Sequence, residues 1–315
     1  MHPIYHAAMI NQNEASKCLI ASLNGLAVGD AFGQQYMWHV EDIDIRREDV
    51  PIWRWTDDTE MALSVVSVLI EQGVVDQSLL AGRFAEYFDS TRGYGSAMLF
   101  ELLPKLQRGA DWRLAARALF EGRGSYGNGA AMRVAPVGAF FSSDMQQVVA
   151  QARLSAEVTH SHAEGIAGAV AVAVAAAIAT QQKTRKTVTG ARTFLNEVIP
   201  HLPESEVRSR MEMAYHEFGP SAQRDALIQR LGNGSRVTAM DTVPICLWMA
   251  GKHLNDYPEA LYDTVAALGD MDTTCAIVGG IVAANVGCDG IPIEWRKSTE
   301  EWPAWFRPYL AQVGV

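Results

Sequence analysis

Two adjacent carboxylates, Asp57 and Asp58, stand between the hydroxyls of Thr56 and Thr59, just ahead of an apolar run from Ala62 to Ile70. Far along the chain, Asp270 and Asp272 flank Met271 and are followed by Thr273 and Thr274, again just before an apolar stretch. Carboxylate and hydroxyl oxygens are hard ligands. They suit Mg²⁺ or Mn²⁺, whereas zinc usually recruits His or Cys. Four carboxylates brought together with no cation would repel one another and shift their pKa values strongly. Two divalent ions would relieve that repulsion, hold a nucleophilic water and steady developing charge. The hydroxyls of Thr56 and Thr273 would fill further coordination positions. A plainer reading stands beside this one. Asp and Thr are ordinary helix-start residues, and Asp57 with Glu60 three residues later matches a capping box. Spacing alone leaves both readings open.

A third stretch is dense in glycine: Gly122-Arg123-Gly124-Ser125-Tyr126-Gly127-Asn128-Gly129. Glycines let backbone amides approach a phosphate, and a following helix start favours an anion. The stretch lacks the Gly-Lys-Ser/Thr ending of a nucleoside-triphosphate loop and follows no strand pattern. Phe120 and Tyr126 offer aromatic faces on which an adenine could stack. Packing or a simple interhelical turn would account for the same residues.

The elements that must carry these residues read as helices. Helical spacing of apolar residues predicts segments over Glu14–Val28, Thr56–Gln72 (closed by Gly73), Gln77–Asp89, Ser96–Gln107 and Trp112–Phe120. It continues over Ala130–Phe141 and Asp144–Val158. Thr159-His160-Ser161-His162 opens an alanine-rich helix. Further helices are expected at Lys186–Ile199, Glu204–Phe218, Ala222–Leu231, Met240–His253, Pro258–Leu268, Thr273–Val286 and Glu300–Ala311. Gly29-Asp30-Ala31-Phe32-Gly33 is expected to be a turn, and the charge-rich Trp38–Trp55 segment a long surface loop, a common form for a lid. Period-2 alternation is almost absent. The expected fold class is all-α, with more than ten helices in a single domain spanning residues 1–315. Small residues in the buried-looking helices, such as Gly168, Ala171, Gly279 and Gly280, would let helix axes approach closely.

The chain has 315 residues, 49% of them hydrophobic and 20% charged, with a formal net charge of −10. That acidity, with no basic cluster longer than Lys183-Thr184-Arg185-Lys186, argues against binding a nucleic-acid backbone. Cys18, Cys246, Cys275 and Cys288 form no Cys-x-x-Cys pair and read as reduced packing residues. The first residues lack the basic and apolar regions of a signal peptide. Gly165–Thr180 is uncharged but alanine-rich and short for a membrane span, so a core helix is expected there. No membrane association and a cytoplasmic location follow as expectations. No coiled-coil seam points to an oligomeric state.

Taken together, the chain resembles the ADP-ribosylglycohydrolase family. The resemblance runs from about Gly25 to Gly287. It is carried, in the family's order, by Gly29–Gly33, Trp55–Met61, Arg92-Gly93-Tyr94-Gly95, Gly124–Arg133, Thr159-His160 and Gly269–Thr274. It implies an all-helical fold and two Mg²⁺ or Mn²⁺ ions beside the ribose whose anomeric bond is cut. Thr56, Asp57 and Asp58 match the first metal-binding triplet; Asp270, Asp272 and Thr273 match the second. Asp57 or Asp58 is then implied to orient the attacking water. Ser125, Gly127, Asn128, Gly129 and Gly95 match the phosphate and ribose loops. Tyr126 and Phe120 match the aromatics around adenine, and His160 a ribose-side histidine. His162 reads as a surface residue. Gly124–Arg133 looks most like the branch that releases ADP-ribose from serine.

Two departures stand out. Met271 replaces a threonine that is not expected to be a ligand. Met37 occupies the position where many relatives carry a glutamate on a loop over the substrate, with Glu41, Asp42 and Asp44 as nearby acids. The expected function is hydrolysis of the N- or O-glycosidic bond between ADP-ribose and a modified arginine, serine or small molecule. The alternatives are an ADP-ribose-binding or transferase-antagonist protein of the same fold, to which Met37 lends support, and a metal-dependent phosphoester hydrolase.

Overall fold

A computed structural model describes residues 3–37, 39–40, 43, 52–185 and 190–314. Most of the Trp38–Trp55 segment, including Glu41, Asp42 and Asp44, lies outside them, as do residues 186–189 of the expected Lys186–Ile199 helix. Sixteen α-helices follow one another among the described residues. They are α1 (Pro3–Tyr36), α2 (Asp57–Gln72), α3 (Gln77–Glu86), α4 (Leu103–Gln107), α5 (Trp112–Gly122), α6 (Ala135–Phe140), α7 (Met145–Glu157) and α8 (Ala163–Arg185). Then come α9 (Ala191–Val198), α10 (Glu206–Glu217), α11 (Arg224–Leu231), α12 (Ala239–Lys252), α13 (Tyr257–Val265), α14 (Met271–Val286), α15 (Ile293–Ser298) and α16 (Arg307–Gln312). Named strands are absent from the described residues; two isolated bridges pair Trp53 with Thr299 and Gly127 with Thr238. The all-α expectation holds.

Two helices form the centre. From Ala167 to Ala179, every residue of α8 is buried, and α14 is buried from Thr273 to Asn285. α8 is the one described helix long and apolar enough to cross a membrane, but 83% of its apolar stretch is packed inside the protein. Against it lie α6, α7, α12 and α14. A helix apolar all round is a core helix when neighbours surround it. The four cysteines are all free.

The most extensive helix pair is α1 with α14, and here the sequence expectation fails. Gly29–Gly33 is not a turn but lies inside α1, which runs on to Tyr36. Gly25, Gly29 and Gly33 repeat every four residues and so fall on one stripe of the helix. A Cβ at Gly29 would sit 2.2 Å from the Cys275 carbonyl oxygen, and one at Gly33 2.1 Å from that of Met271. Glycine is there because the backbones touch, a role that local pattern cannot distinguish from a chain reversal.

Other boundaries also move. α2 starts at Asp57 and is closed by Gly73 in the left-handed conformation (φ 72°), with a backbone bond to Leu69. Ser96–Gln107 is divided into a π-helical segment, Ala97–Leu102, and α4. Pro104 has no N–H to donate, so a regular ladder through it is impossible. Ala130–Phe141 is helical only from Ala135; a 3₁₀ turn, Asn128–Ala130, precedes it. α14 begins at Met271, with Asp270 in the cap position. The Thr159–His162 segment precedes α8, which starts at Ala163. The expected Glu300–Ala311 helix shrinks to α16.

The glycine contact between α1 and α14 yields a stability prediction. Gly33→Ala is expected to lower unfolding free energy by about 1–3 kcal/mol, the usual cost of overpacking. Gly82→Ala, in α3 with no atom within 4 Å of an added Cβ, is expected to raise it by about 0.5–1 kcal/mol. Urea unfolding of the two variants measures the contrast.

Candidate functional site

The N-terminal turn of α2 is organised from outside itself. Thr56, its cap residue, makes no side-chain cap bond of its own. The carboxylate of Asp30, on α1, does that work. It accepts from the Thr56 N–H (2.9 Å), the Thr59 N–H (3.1 Å) and the Thr59 hydroxyl (2.6 Å). The Thr56 hydroxyl lies 2.8 Å from both an Asp30 and an Asp58 oxygen, so its single proton is shared between two carboxylates. The Asp57 N–H donates to the Arg92 carbonyl (2.8 Å). The expected capping box is therefore absent. Glu60 turns away instead, accepting from the Tyr94 hydroxyl (2.7 Å) and the Asp89 N–H (3.0 Å).

The second acidic cluster is held by the same helix and by a turn that the sequence did not single out. Gly33 packs against the Met271–Asp272 backbone. The Asp270 N–H donates to the Asn233 carbonyl (3.3 Å), and Gly234, with φ +87°, sits against the Asp270 Cβ. The Asp272 carboxylate accepts from the N–H of Thr273 (2.9 Å), at the start of α14.

The glycine stretch joins the two. The Asn128 amide donates to the Asp270 carboxylate (2.6 Å) and to the Thr242 hydroxyl (3.1 Å), which uses both of its protons. The loop's backbone pairs with the entry to α12: Asn128 N–H to Val237 oxygen and Ala239 N–H to Tyr126 oxygen. Phe120 and Glu121 have positive φ, 51° and 61°, where non-glycine residues are strained. That break ends the regular part of α5 and leaves Phe120 43% exposed, its ring 5.9 Å from the Tyr126 ring.

One cavity of about 460 Å³ gathers most of the expected residues. Asp57, Gly95, Phe120, Ser125, Tyr126, Gly127, Asn128, Gly129, His160, Asp270, Asp272 and Thr273 all line it. That volume suits a ligand of nucleotide size. Arg236, Val237 and Thr238, which the sequence did not point to, also line it, together with Met61, Gly93, Ser96, Ala97, Met98 and Met132. Thr56 and Asp58 stand behind the wall, Thr56 lining an adjacent recess of about 220 Å³. Met37 follows α1 in a turn and is exposed. A cavity of similar size, about 490 Å³, lies between α1 and the C-terminal segment but gathers none of the candidate residues.

Burial pushes the carboxyls of Asp30, Asp57, Asp58, Asp270 and Asp272 above the ordinary aspartate range, and for all but Asp272 a neighbouring carboxylate adds to the rise. Asp30 and Asp270 rise to about 7. Asp57, Asp270 and Asp272 line the same cavity, so the two clusters converge, and Asp272 adds repulsion at Asp30, Asp57 and Asp270. Among the described residues no group of three His, Cys, Asp or Glu side chains forms a ready-made ligand set. The donors at hand are carboxylate and hydroxyl oxygens, and Asp58 Oδ1 is buried with no hydrogen-bond partner. An oxygen-only, electron-rich set with an orphaned carboxylate oxygen fits a hard divalent cation.

Comparison with known proteins places this geometry in context. A family model described as ADP-ribosylglycohydrolase matches residues 12–313. The human ADP-ribosylhydrolase ARH3 is 31% identical over 281 residues, covering 78% of this chain and 74% of its own. The ADP-ribosylarginine hydrolase Tri1 of Pseudomonas putida is 23% identical, over 87% of this chain and 72% of its own. A solved structure titled ADP-ribosylglycohydrolase-related protein complex superposes with a TM-score of 0.64 at 21% identity, covering 95% of this chain and 96% of that one. That last likeness speaks to the fold.

The raised carboxyls fix the sign of a pH effect. A carboxyl whose folded pKa is above its unfolded one binds more protons when folded, so stability falls as pH rises between the two values. For Asp30 and Asp270 that window runs from 3.8 to about 7. In EDTA, the protein is expected to gain stability on acidification from pH 7 to pH 4.5, and Asp58→Asn to flatten the slope. Urea midpoints across that range check it. Millimolar Mg²⁺ or Mn²⁺ is expected to raise the pH 7 midpoint.

Proposed function

Because the chain belongs to the ADP-ribosylglycohydrolase family, we propose that it hydrolyses the glycosidic bond between ADP-ribose and a modified side chain or small molecule at the cavity of Asp57, Asn128 and Asp272. As an ADP-ribosyl hydrolase it releases ADP-ribose. The observation that carries the site assignment is the meeting of both acidic clusters with the glycine loop and the Phe120–Tyr126 pair around one cavity.

The residues divide the work by chemistry. Phe120 and Tyr126 offer apolar faces for the adenine. Gly127, Asn128 and Gly129 let the loop backbone approach the pyrophosphate, and His160 faces the same wall. Asp57, the first-cluster carboxylate that lines the cavity, orients the attacking water toward the anomeric carbon. Asp58, behind it, shares the Thr56 proton and keeps its second oxygen free. Asp57, Asp58, Asp270, Asp272 and the hydroxyls of Thr56 and Thr273 would hold Mg²⁺ or Mn²⁺. Such a pair supplies charge neutralisation and an anchor for the ribose hydroxyls. Holding water and sugar in one geometry accounts for much of the barrier reduction. The cleaved bond passes through an oxocarbenium-like state, as in other glycosidases.

A second reading is favoured by Met37, which provides no carboxylate at the position implied for a glutamate. It is an ADP-ribose-binding protein with little turnover. Calorimetry against ADP-ribose, beside release assays on arginine-linked, serine-linked and small-molecule substrates, separates the two.

Asp58→Asn and Asp272→Asn are each expected to lower ADP-ribose release about a hundredfold or more, the scale of losing a preorganised charged group. EDTA is expected to do the same to the unmodified protein, with Mg²⁺ or Mn²⁺ restoring it. Full release in EDTA would overturn the metal assignment.

A further inference from the structure

His160 is 3% exposed and sits edge-on to the glycine loop: a Cβ on Gly127 or Gly129 would lie 3.3 or 3.1 Å from its Nε2. Its two nitrogens have different surroundings. Nδ1 is 2.7 Å from the hydroxyl oxygen of Thr159. Nε2 has no protein partner among the described residues, and His160 lines the cavity. Which nitrogen carries the proton follows from what Thr159 can do.

Thr159 is fully buried, so its hydroxyl must be satisfied within the protein. Arg133 donates to that oxygen at 2.9 Å, and a guanidinium can only donate. The hydroxyl proton must therefore find an acceptor elsewhere. The nearby Ser155 carbonyl accepts from the same Arg133 nitrogen at 2.8 Å but, among the described residues, not from Thr159, and the Ser155 hydroxyl has no partner among them. His160 Nδ1 is the acceptor that the described contacts provide for the Thr159 proton. An Nδ1 that accepts is bare, and in a neutral imidazole the proton is then on Nε2.

We propose that Arg133 and Thr159 are positioning residues that lock His160 as its Nε2–H tautomer, so that it serves the cavity as a fixed hydrogen-bond donor to an oxygen of the ligand. A pyrophosphate or ribose oxygen accepts from this N–H; a group that only donates is rejected. His160 in this state has no lone pair facing the cavity, so it cannot accept a proton from the attacking water. Burial and the neighbouring Arg133 charge lower its pKa to about 3, which agrees with a neutral ring. Arg133 itself is fully buried. It spans from the Gly129 carbonyl (3.1 Å) to the end of α7 and lies 4.7 Å from the centre of the Phe84 ring. One side chain thus fixes both the backbone of the glycine loop and the proton on the histidine behind it.

The tautomer is read directly from long-range ¹H–¹⁵N correlations of protein labelled at its eight histidines, with His160 assigned by its loss in His160→Gln. The expected pattern at neutral pH is a protonated Nε2 and a bare Nδ1. A protonated Nδ1 overturns the proposal whether or not any ligand binds. The second arm rests on the ADP-ribose reading above. Thr159→Val keeps the shape but removes the hydroxyl; it is expected to weaken ADP-ribose binding about tenfold and to admit the other tautomer, while Thr159→Ser restores both. Wild-type tautomer and affinity in Thr159→Val would also overturn the proposal. If ADP-ribose binds no form of the protein, the substrate reading fails and the spectrum of the free protein still decides the tautomer.

Discussion

The site depends first on the buried carboxylate of Asp30. It stands on α1, between Gly29 and Gly33, and both glycines touch the backbone of α14. From there it accepts the backbone and hydroxyl protons of Thr56 and Thr59 at the start of α2. One stretch of α1 therefore carries both registrations. The carboxylate fixes where Asp57 and Asp58 lie, and the missing side chains fix where Asp272 lies. Hydrogen bonds to a buried acceptor gain strength because water does not compete for them. They hold a helix terminus at a defined distance from a second helix, something apolar contact alone does less sharply.

This arrangement opposes the usual preference for separated charges. Asp30, Asp57, Asp58, Asp270 and Asp272 are all pushed toward their neutral forms by burial, and repulsion within the group adds to it for every one but Asp272. A protein keeps such a cluster only where the rest of the fold over-determines it. Here the surroundings are the buried faces of α8 and α14 and the close helix contact of α1. The site gathers negative charge that a divalent cation would offset, and Asp30 and Asp58 are its most deeply buried members.

The other half of the cavity is built by backbone. The glycine loop is paired to the entry of α12, tied to Asp270 by the Asn128 amide, and tied to the end of α7 by Arg133. Loop and acids are thus mutually oriented: Asn128 cannot move without releasing Asp270. Outside this framework, the Glu60–Tyr94 and Arg92–Glu300 contacts steady the Arg92–Gly95 segment, which supplies Gly95 to the cavity and the carbonyl that receives the Asp57 N–H. The wall of the cavity is therefore held by polar contacts between segments, while the centre is held by packing.

Local chemistry made much of this legible. Hydroxyl and acid residues ahead of apolar runs marked Asp57, Asp58, Asp270 and Asp272, and helical periodicity gave the all-α class, because both signals are written in neighbouring residues. The glycine stretch and its aromatics could be picked out for the same reason. Asp30 could be seen but not interpreted. A glycine-flanked aspartate reads as a turn until α14 is known to lie against it. Arg236–Thr238 and the Gly232–Gly234 turn were silent; Arg133, Thr159 and His160 stood in stretches that carry the resemblance, but the bond from Arg133 that links them spans 26 residues and no local spacing shows it. Neighbouring residues name the atoms on offer: oxygen donors, bare backbone and aromatic faces at helix entrances. Which of them meet is settled by the packing, because convergence is set by the distance between α1, α2 and α14, and that distance is fixed by long-range contacts that no local spacing encodes.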